Sequence, residues 1–346
     1  MTATAPILFS EDYYNTVIGQ FGYSTFEMKQ FNFDFAGLSD RELNTRYLCH
    51  HHGDKFAAAP ASERIITTGF GMSGPPHMAT VSHIQKIIRF QQNRENCQIV
   101  LGDLDAYNGR RRDFNWTREL AEKFTVFTRR LGFDTARGVL RDQTSENSAL
   151  RNMYLVGRYA TDNDFDAAEE DNHSYYCEQG IVDASMTFRR RLSLTLMASD
   201  FITLGQNYRH VVALLGIDEH KYVRFAQTIL DRFNKSIPLH SRFNIGAIYC
   251  RMTSGFNGYP KFSKSIPGSA IHVESPDDEI YSRITADSTR QPEKSPVFQL
   301  MCQVNYCSYD DLNRLYSACT NRSPVWARER RTFADYLIAL KHLWPQ

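Results

Sequence analysis

An α/β fold with a doubly wound parallel sheet and a short helical C-terminal part is predicted by three features of the sequence. Short apolar, β-branched runs alternate with longer segments of helical period; the connections between them are short; and after Pro276 only helical patterns recur. At 346 residues the chain can bury a sizeable core and is expected to hold one large unit with smaller additions. Residues 1–60 read as an appended N-terminal segment, 61–275 as the sheet domain and 276–346 as a short helical C-terminal domain.

The elements follow in order. The first segment closes on the loop-like GDKFAAAPASE. RIITTG from Arg64 is a buried strand by its apolar and β-branched content, and residues 77–92 form a helix. CQIVLGD from Cys97 is a second strand, followed by the loop DLDAYNG. Trp116, Leu120, Phe124, Phe127 and Leu131 recur at helical spacing, and Gly132 offers a stop. Residues 146–191 read as helical, interrupted by the acidic loop DNDFDAAEEDN. LSLTLMASDFITL (192–204) is a helix, RHVVALLG (209–216) a strand, EHKYVRFAQTILDRF (219–233) a helix and IGAIYCRM a late strand.

Composition excludes several classes. Forty basic residues against thirty-nine acidic ones leave a charge of +1, which is no general polyanion-binding signature, so DNA is not an expected partner. Eighteen Tyr and 23 Phe argue against disorder. The seven cysteines form no CxxC pair and read as reduced thiols. No apolar run reaches membrane-spanning length, and MTATAPILFSEDYY lacks the basic start of a signal peptide, so a cytoplasmic protein is expected. CHHHGD from Cys49 reads as loop histidines, because contiguous histidines cannot all face one ion; no metal site is expected. DLDAYNG departs from an EF-hand loop at its third ligand and lacks the closing Glu. GRRRD (109–113) and FRRRL (188–192) read as solvated or internally paired surface, with an RNA backbone or another anion as alternatives.

Three stretches converge at the carboxyl ends of the predicted strands, where open parallel sheets bind ligands. In SGPPHMAT (73–80), small residues such as Gly74 let backbone approach a nucleotide, and the helix start attracts phosphate. LLGIDEH (214–220) ends a buried strand at Gly216, Asp218 and Glu219, whose carboxylates could hold a ribose hydroxyl or an ammonium. GYPKFSKSIPGSAI (258–271) interleaves Lys261 and Lys264 with Ser263 and Ser265, suited to fold over a triphosphate. An ordinary turn, a strand-end turn and a solvated basic loop are the structural alternatives.

Together these stretches resemble the class I aminoacyl-tRNA synthetases of the tryptophanyl and tyrosyl type. KFSKS is similar to the family's KMSKS, SGPPHMAT to SGxxHxGH, IDEHKYVRF to IDQDPYFR and LMASD (196–200) to LMAAD, over roughly residues 64–285. The resemblance implies a Rossmann-like catalytic domain that activates an amino acid with ATP and Mg²⁺, releasing pyrophosphate and forming an aminoacyl-adenylate. His77 and Thr80 would touch phosphates, and Lys261 and Lys264 would stabilise the leaving group with Ser263 and Ser265 closing the loop. Gly74, Ala79, Gly216 and Asp218 would border the nucleotide. Thr67, Gly69, Asp105, Met197, Asp200 and Glu219 would line the amino-acid pocket, with Asp200 accepting a ring N–H and Met197 packing on the ring; a structurally paired Asp200 is the alternative. A tryptophan-like substrate and a homodimer are implied.

The chain departs from the pattern at Ala79, where the family has Gly, at Thr80 for the second His, at Glu219 for Gln and at Thr67 for an aromatic residue. The chain after Ser265 is short for an anticodon-reading domain. These departures favour a relative that passes the acyl group to a small amine or carrier. Charging of tRNA is the alternative, and a non-catalytic sensor of amino acid or tRNA a further one.

Overall fold

The computed structural model describes residues 6–27, 39–180, 182–264, 266–304 and 306–346. Among the described residues six strands form one sheet: β1 (Cys49–His51), β2 (Arg64–Gly71), β3 (Cys97–Gly102), β4 (Val139–Asp142), β5 (His210–Gly216) and β6 (Asn244–Cys250). Their order is β1-β6-β5-β2-β3-β4, and every pairing is parallel except β1 with β6. The chain runs outward from β2 through β3 to β4, then returns to the other flank of β2 as β5. The order therefore reverses between β2 and β5, whose carboxyl ends are Gly71 and Gly216.

Side chains alternate along the strands into two cores. Ile66, Ile99, Val212 and Leu214 face one layer, with the helices Met78–Gln92 and Phe114–Arg130 and the four C-terminal helices. Ile65, Val211, Ala213 and Leu215 face the other, with Glu11–Phe21, Phe188–Leu204 and His220–Lys235. The α/β, doubly wound class and the helical C-terminal part are as expected. No helix among the described residues is long and apolar enough to cross a membrane.

The structure differs from the sequence reading at four places. Cys49–His51 is an edge strand, not a loop: it pairs with β6 in the register Cys49↔Tyr249 to His51↔Ala247. VLRD at 139–142 is a strand that its short, half-polar pattern concealed. DLDAYNG lies in a helix, Asp103–Arg110, because Asp103 accepts the Gln143 amide (2.9 Å) and the Thr144 hydroxyl and so ties the helix start to the loop after β4. Residues 146–191 break into Asn147–Val156, Asp162–Asp166 and His173–Glu178. The segment before residue 60 also enters both cores: Phe26, Leu43, Tyr47 and Phe56 on one face, Tyr14, Val17 and Tyr23 on the other.

Candidate active site at the strand switch

β2 delivers the chain at Gly71 into SGPPHMAT, and His77 caps the following helix. Its backbone is extended (φ −89°, ψ 166°), and Nδ1 accepts the Thr80 amide at 3.1 Å. An accepting Nδ1 leaves the ring proton on Nε2. Burial first, then the nearby Lys264 charge, hold the imidazole well below its ordinary pKa. His77 is thus a neutral Nε2–H donor. Thr80 stands behind it, with its hydroxyl 3.3 Å from Nδ1, and is not a second outward contact. The amides of Met78 and Val81 are also committed, to the carbonyls of Ile271 (2.9 Å) and His77 (3.1 Å). Capping therefore uses donors that sequence reasoning had aimed at phosphate. Ala79 packs against the first core.

The lysine loop docks directly on this turn. Met78 donates to Ile271 and the Val273 amide donates to Pro76 (3.0 Å), pairing the two segments around His77 and His272. Phe262, in the place of the family's Met, sets its ring edge-on to His77 with centroids 5.9 Å apart. A Cβ added to Gly74 would lie 3.6 Å from Lys264 Cβ. Lys264 Nζ donates to the Gly71 carbonyl at 2.8 Å and stands 5.1 Å from the Phe124 ring centroid. Burial pushes its pKa down to about 8, against the pull of Glu219. Lys261 pairs with Asp218 and lies 3.8 Å from Glu170; these carboxylates outweigh burial and raise its pKa. The Ser263 amide donates to Ser269 Oγ (3.2 Å), which folds the loop back on itself. Ser265 lies outside the described residues.

Beyond the loop sits a buried network of charges. Gly216 permits the turn that brings Asp218 to Lys261; an added Cβ would meet the Asp218 carboxylate and, at 2.9 Å, Met252 Sδ. Burial, then the Asp218 charge, push the Glu219 pKa up to about 8. A second buried carboxylate, Glu170, shifts the other way. Burial raises the Glu170 pKa, but Lys261, Arg110 and a hydrogen bond from Tyr222 (2.6 Å) together hold it low. Asp105 is raised by burial despite Arg110 and Ser193.

Asp200 is 4% exposed, and both of its oxygens are engaged: Arg141 Nη2 donates to one at 2.6 Å and Gln143 Nε2 to the other at 2.8 Å. Met197 packs against the second core. Thr67 lies in mid-strand, where its hydroxyl accepts from Gln98 (3.3 Å), and leaves Gly69 and Gly71 as the bare floor nearer the strand end. Glu170, Arg110, Tyr222, Arg141 and Gln143 were not singled out from the sequence. The first lay in a stretch read as acidic loop, the second in GRRRD, and the last two at the unrecognised β4. The FRRRL arginines are paired internally, Arg189 with Asp183, Arg190 with Glu169 and Arg191 with Asp162.

The chain is similar to known proteins in sequence and in fold. The family model described as tRNA synthetases class I (W and Y) matches residues 192–314. A protein named tryptophan–tRNA ligase 1 from Halobacterium salinarum is 25% identical over 224 residues, 63% of this chain and 41% of its own length. The chain thus spans about two fifths of that relative. A tryptophan–tRNA ligase of Aeropyrum pernix is 22% identical over 307 residues, covering 82% of this chain and 78% of that protein. Among solved structures, the tryptophanyl-tRNA synthetase of Aeropyrum pernix K1 superposes with a TM-score of 0.77 at 19% identity, covering 96% of this chain and 94% of that one. The tyrosyl-tRNA synthetase of Archaeoglobus fulgidus gives 0.69 at 17% identity, over 88% and 97%. Residues 192–314 thus match the class I synthetases of the tryptophanyl and tyrosyl type, and the chain is similar to that class in sequence and shares its fold.

Proposed function

We propose that the protein activates an amino acid with ATP, forming an aminoacyl-adenylate and pyrophosphate, and passes the acyl group to a small amine or carrier. The observation that carries this reading is the docking of the lysine loop on the His77 turn at the strand switch. In-line attack of the substrate carboxylate on the α-phosphorus needs positioning and charge stabilisation rather than a protein nucleophile. His77 Nε2–H donates to a phosphate oxygen, while Lys264 and Lys261 meet the charge that builds on pyrophosphate. To do so, Lys264 exchanges the Gly71 carbonyl, and Lys261 the Asp218 carboxylate, for phosphate oxygens. Mg²⁺ would add charge neutralisation and would arrive on ATP.

Glu170 and Asp105 would hold the substrate ammonium. An aromatic, tryptophan-like side chain would offer its N–H to a lone pair of Asp200 left unused by Arg141 and Gln143. Names of the relatives favour a second reading, transfer to tRNA, and the family resemblance implies that a homodimer would perform it. The test is amino-acid-dependent exchange of labelled pyrophosphate into ATP across the twenty protein amino acids and their aromatic analogues, followed by charging of total tRNA. Exchange without charging is expected; charging would select the tRNA reading, and no exchange with any substrate would contradict adenylation.

A further inference from the structure

Residues 169–178 hold an arrangement that adenylation does not use. Cys177 Sγ lies 3.3 Å from His173 Nε2, and His173 Nδ1 lies 3.1 Å from Glu169 Oε2. With the Nδ1 proton directed to Glu169, Nε2 is an acceptor facing the thiol. Arg190 grips the same carboxylate through two bonds, 3.0 and 2.7 Å, and fixes its position. The Ala184 carbonyl, 3.4 Å from Nε2, can receive the proton that an imidazolium would carry there. Nucleophile, base and orienting carboxylate stand in the order that acyl transfer requires. Burial, then Glu169, raise the thiol pKa, so the sulfur is protonated at rest and depends on the base beside it.

The setting ties this triad to the candidate active site. Five of the seven cysteines are buried; Cys177 and Cys307 are partly exposed. The segment that carries Cys177 also carries Glu170, 3.8 Å from Lys261 Nζ, and Tyr176, whose ring centroid is 5.6 Å from it. The Asp183 carbonyl lies 3.4 Å from Cys177 Sγ, and the Asp183 side chain pairs with Arg189. Arg189 in turn donates to the carbonyls of Asn108 and Gly109, each at 2.9 Å, in the helix that bears Asp105 and Arg110. The segment that bears the triad is therefore tied both to Lys261 and, through Asp183 and Arg189, to the helix of Asp105.

We propose that Cys177 is a second nucleophilic centre, which takes the aminoacyl group from the adenylate as a thioester and yields it to an amine, with His173 as base and Glu169 as positioning residue. The proposal rests on the adenylating function above. Sγ attacks the acyl carbonyl; the S–C bond forms, the bond from acyl carbon to phosphate oxygen breaks, and AMP departs. The thiol proton passes to His173 Nε2. In the second half an amine nitrogen attacks the thioester, the C–N bond forms, the C–S bond breaks, the His173 imidazolium returns the proton to sulfur, and the nitrogen's surplus proton passes to water. No oxidant or reductant enters.

The test incubates the full chain with ATP, Mg²⁺ and an equimolar mixture of the twenty protein amino acids and aromatic analogues, quenches in acid and reads intact mass. Expected is an adduct of one aminoacyl mass that maps to the Cys177 peptide and is released by neutral hydroxylamine. In Cys177→Ser the adduct should form more slowly and resist hydroxylamine as an oxygen ester. His173→Gln should slow adduct formation about 100-fold, the range for loss of a general base. Glu169→Gln should move the rising limb of its pH profile downward, because the imidazolium loses its counter-charge. Pyrophosphate exchange with no adduct, or with an adduct elsewhere, would overturn the relay and leave adenylation standing. Absence of both exchange and adduct would overturn the two together.

Discussion

At His77 the fold has committed one ring nitrogen to capping, and that choice fixes what the other can do. A charged imidazole beside Lys264 would be repelled; a neutral one can share a phosphate with it. Lys264 carries the charge, and its pKa near 8 makes that charge titratable. The pH profile of kcat/KM for ATP reports groups of the free enzyme. Since the depressed value means the ammonium loses its proton as pH rises through about 8, kcat/KM should fall above that pH. Lys264→Arg, which stays protonated, should remove this falling limb, while Glu219→Gln should move it to lower pH, because Lys264 loses the carboxylate's pull. A limb that survives Lys264→Arg belongs to another group. His77, Lys261 and Lys264 were legible in the sequence because each sits in a short motif with its own chemistry. Glu170 and Arg110 were not, because a charge is assigned to solvent or to a site by what folds over it.

Among the elements, β2 and β5 set the site and β1 seals the far edge of the sheet. β1 has only three residues and no alternating pattern, so its strand state comes from β6 and not from its own sequence. Gly246 makes the pairing possible: a Cβ there would fall 2.6 Å from the His51 carbonyl oxygen and 3.3 Å from His52 Cβ. Because backbone must yield, Gly246→Ala should destabilise the protein by about 1–3 kcal/mol, the range for overpacking, as read by denaturant unfolding. An unchanged midpoint would mean that β1 adjusts freely. The buried strands β2, β3, β5 and β6 were legible from apolar runs, and the long helices from their period. β4 was concealed because Val139 is half exposed at the sheet edge and Arg141 and Asp142 are charged. The Asp103–Arg110 helix was concealed because its start is fixed by residues some forty positions later.

Across the whole molecule, two cores on opposite faces of the sheet hold the strand switch, and both ends of the chain contribute. Trp344 packs edge-on against Phe124 and Phe127, with centroids 5.4 and 5.3 Å away, so the C-terminal helices brace the helix whose Phe124 ring lies beneath Lys264. At the other end, Tyr13 donates to Asp171, one residue from Glu170 (2.6 Å). The site is thus assembled from parts far apart in sequence, and its central claim is that the His77 turn and the Lys264 loop act on one triphosphate. The most direct measurement is a double-mutant cycle on kcat/KM for ATP in pyrophosphate exchange, using His77→Ala, Lys264→Ala and the pair. Groups sharing a ligand should couple by about 1 kcal/mol or more, so that the double variant loses markedly less than the product of the single losses. Losses that multiply without coupling would contradict the account.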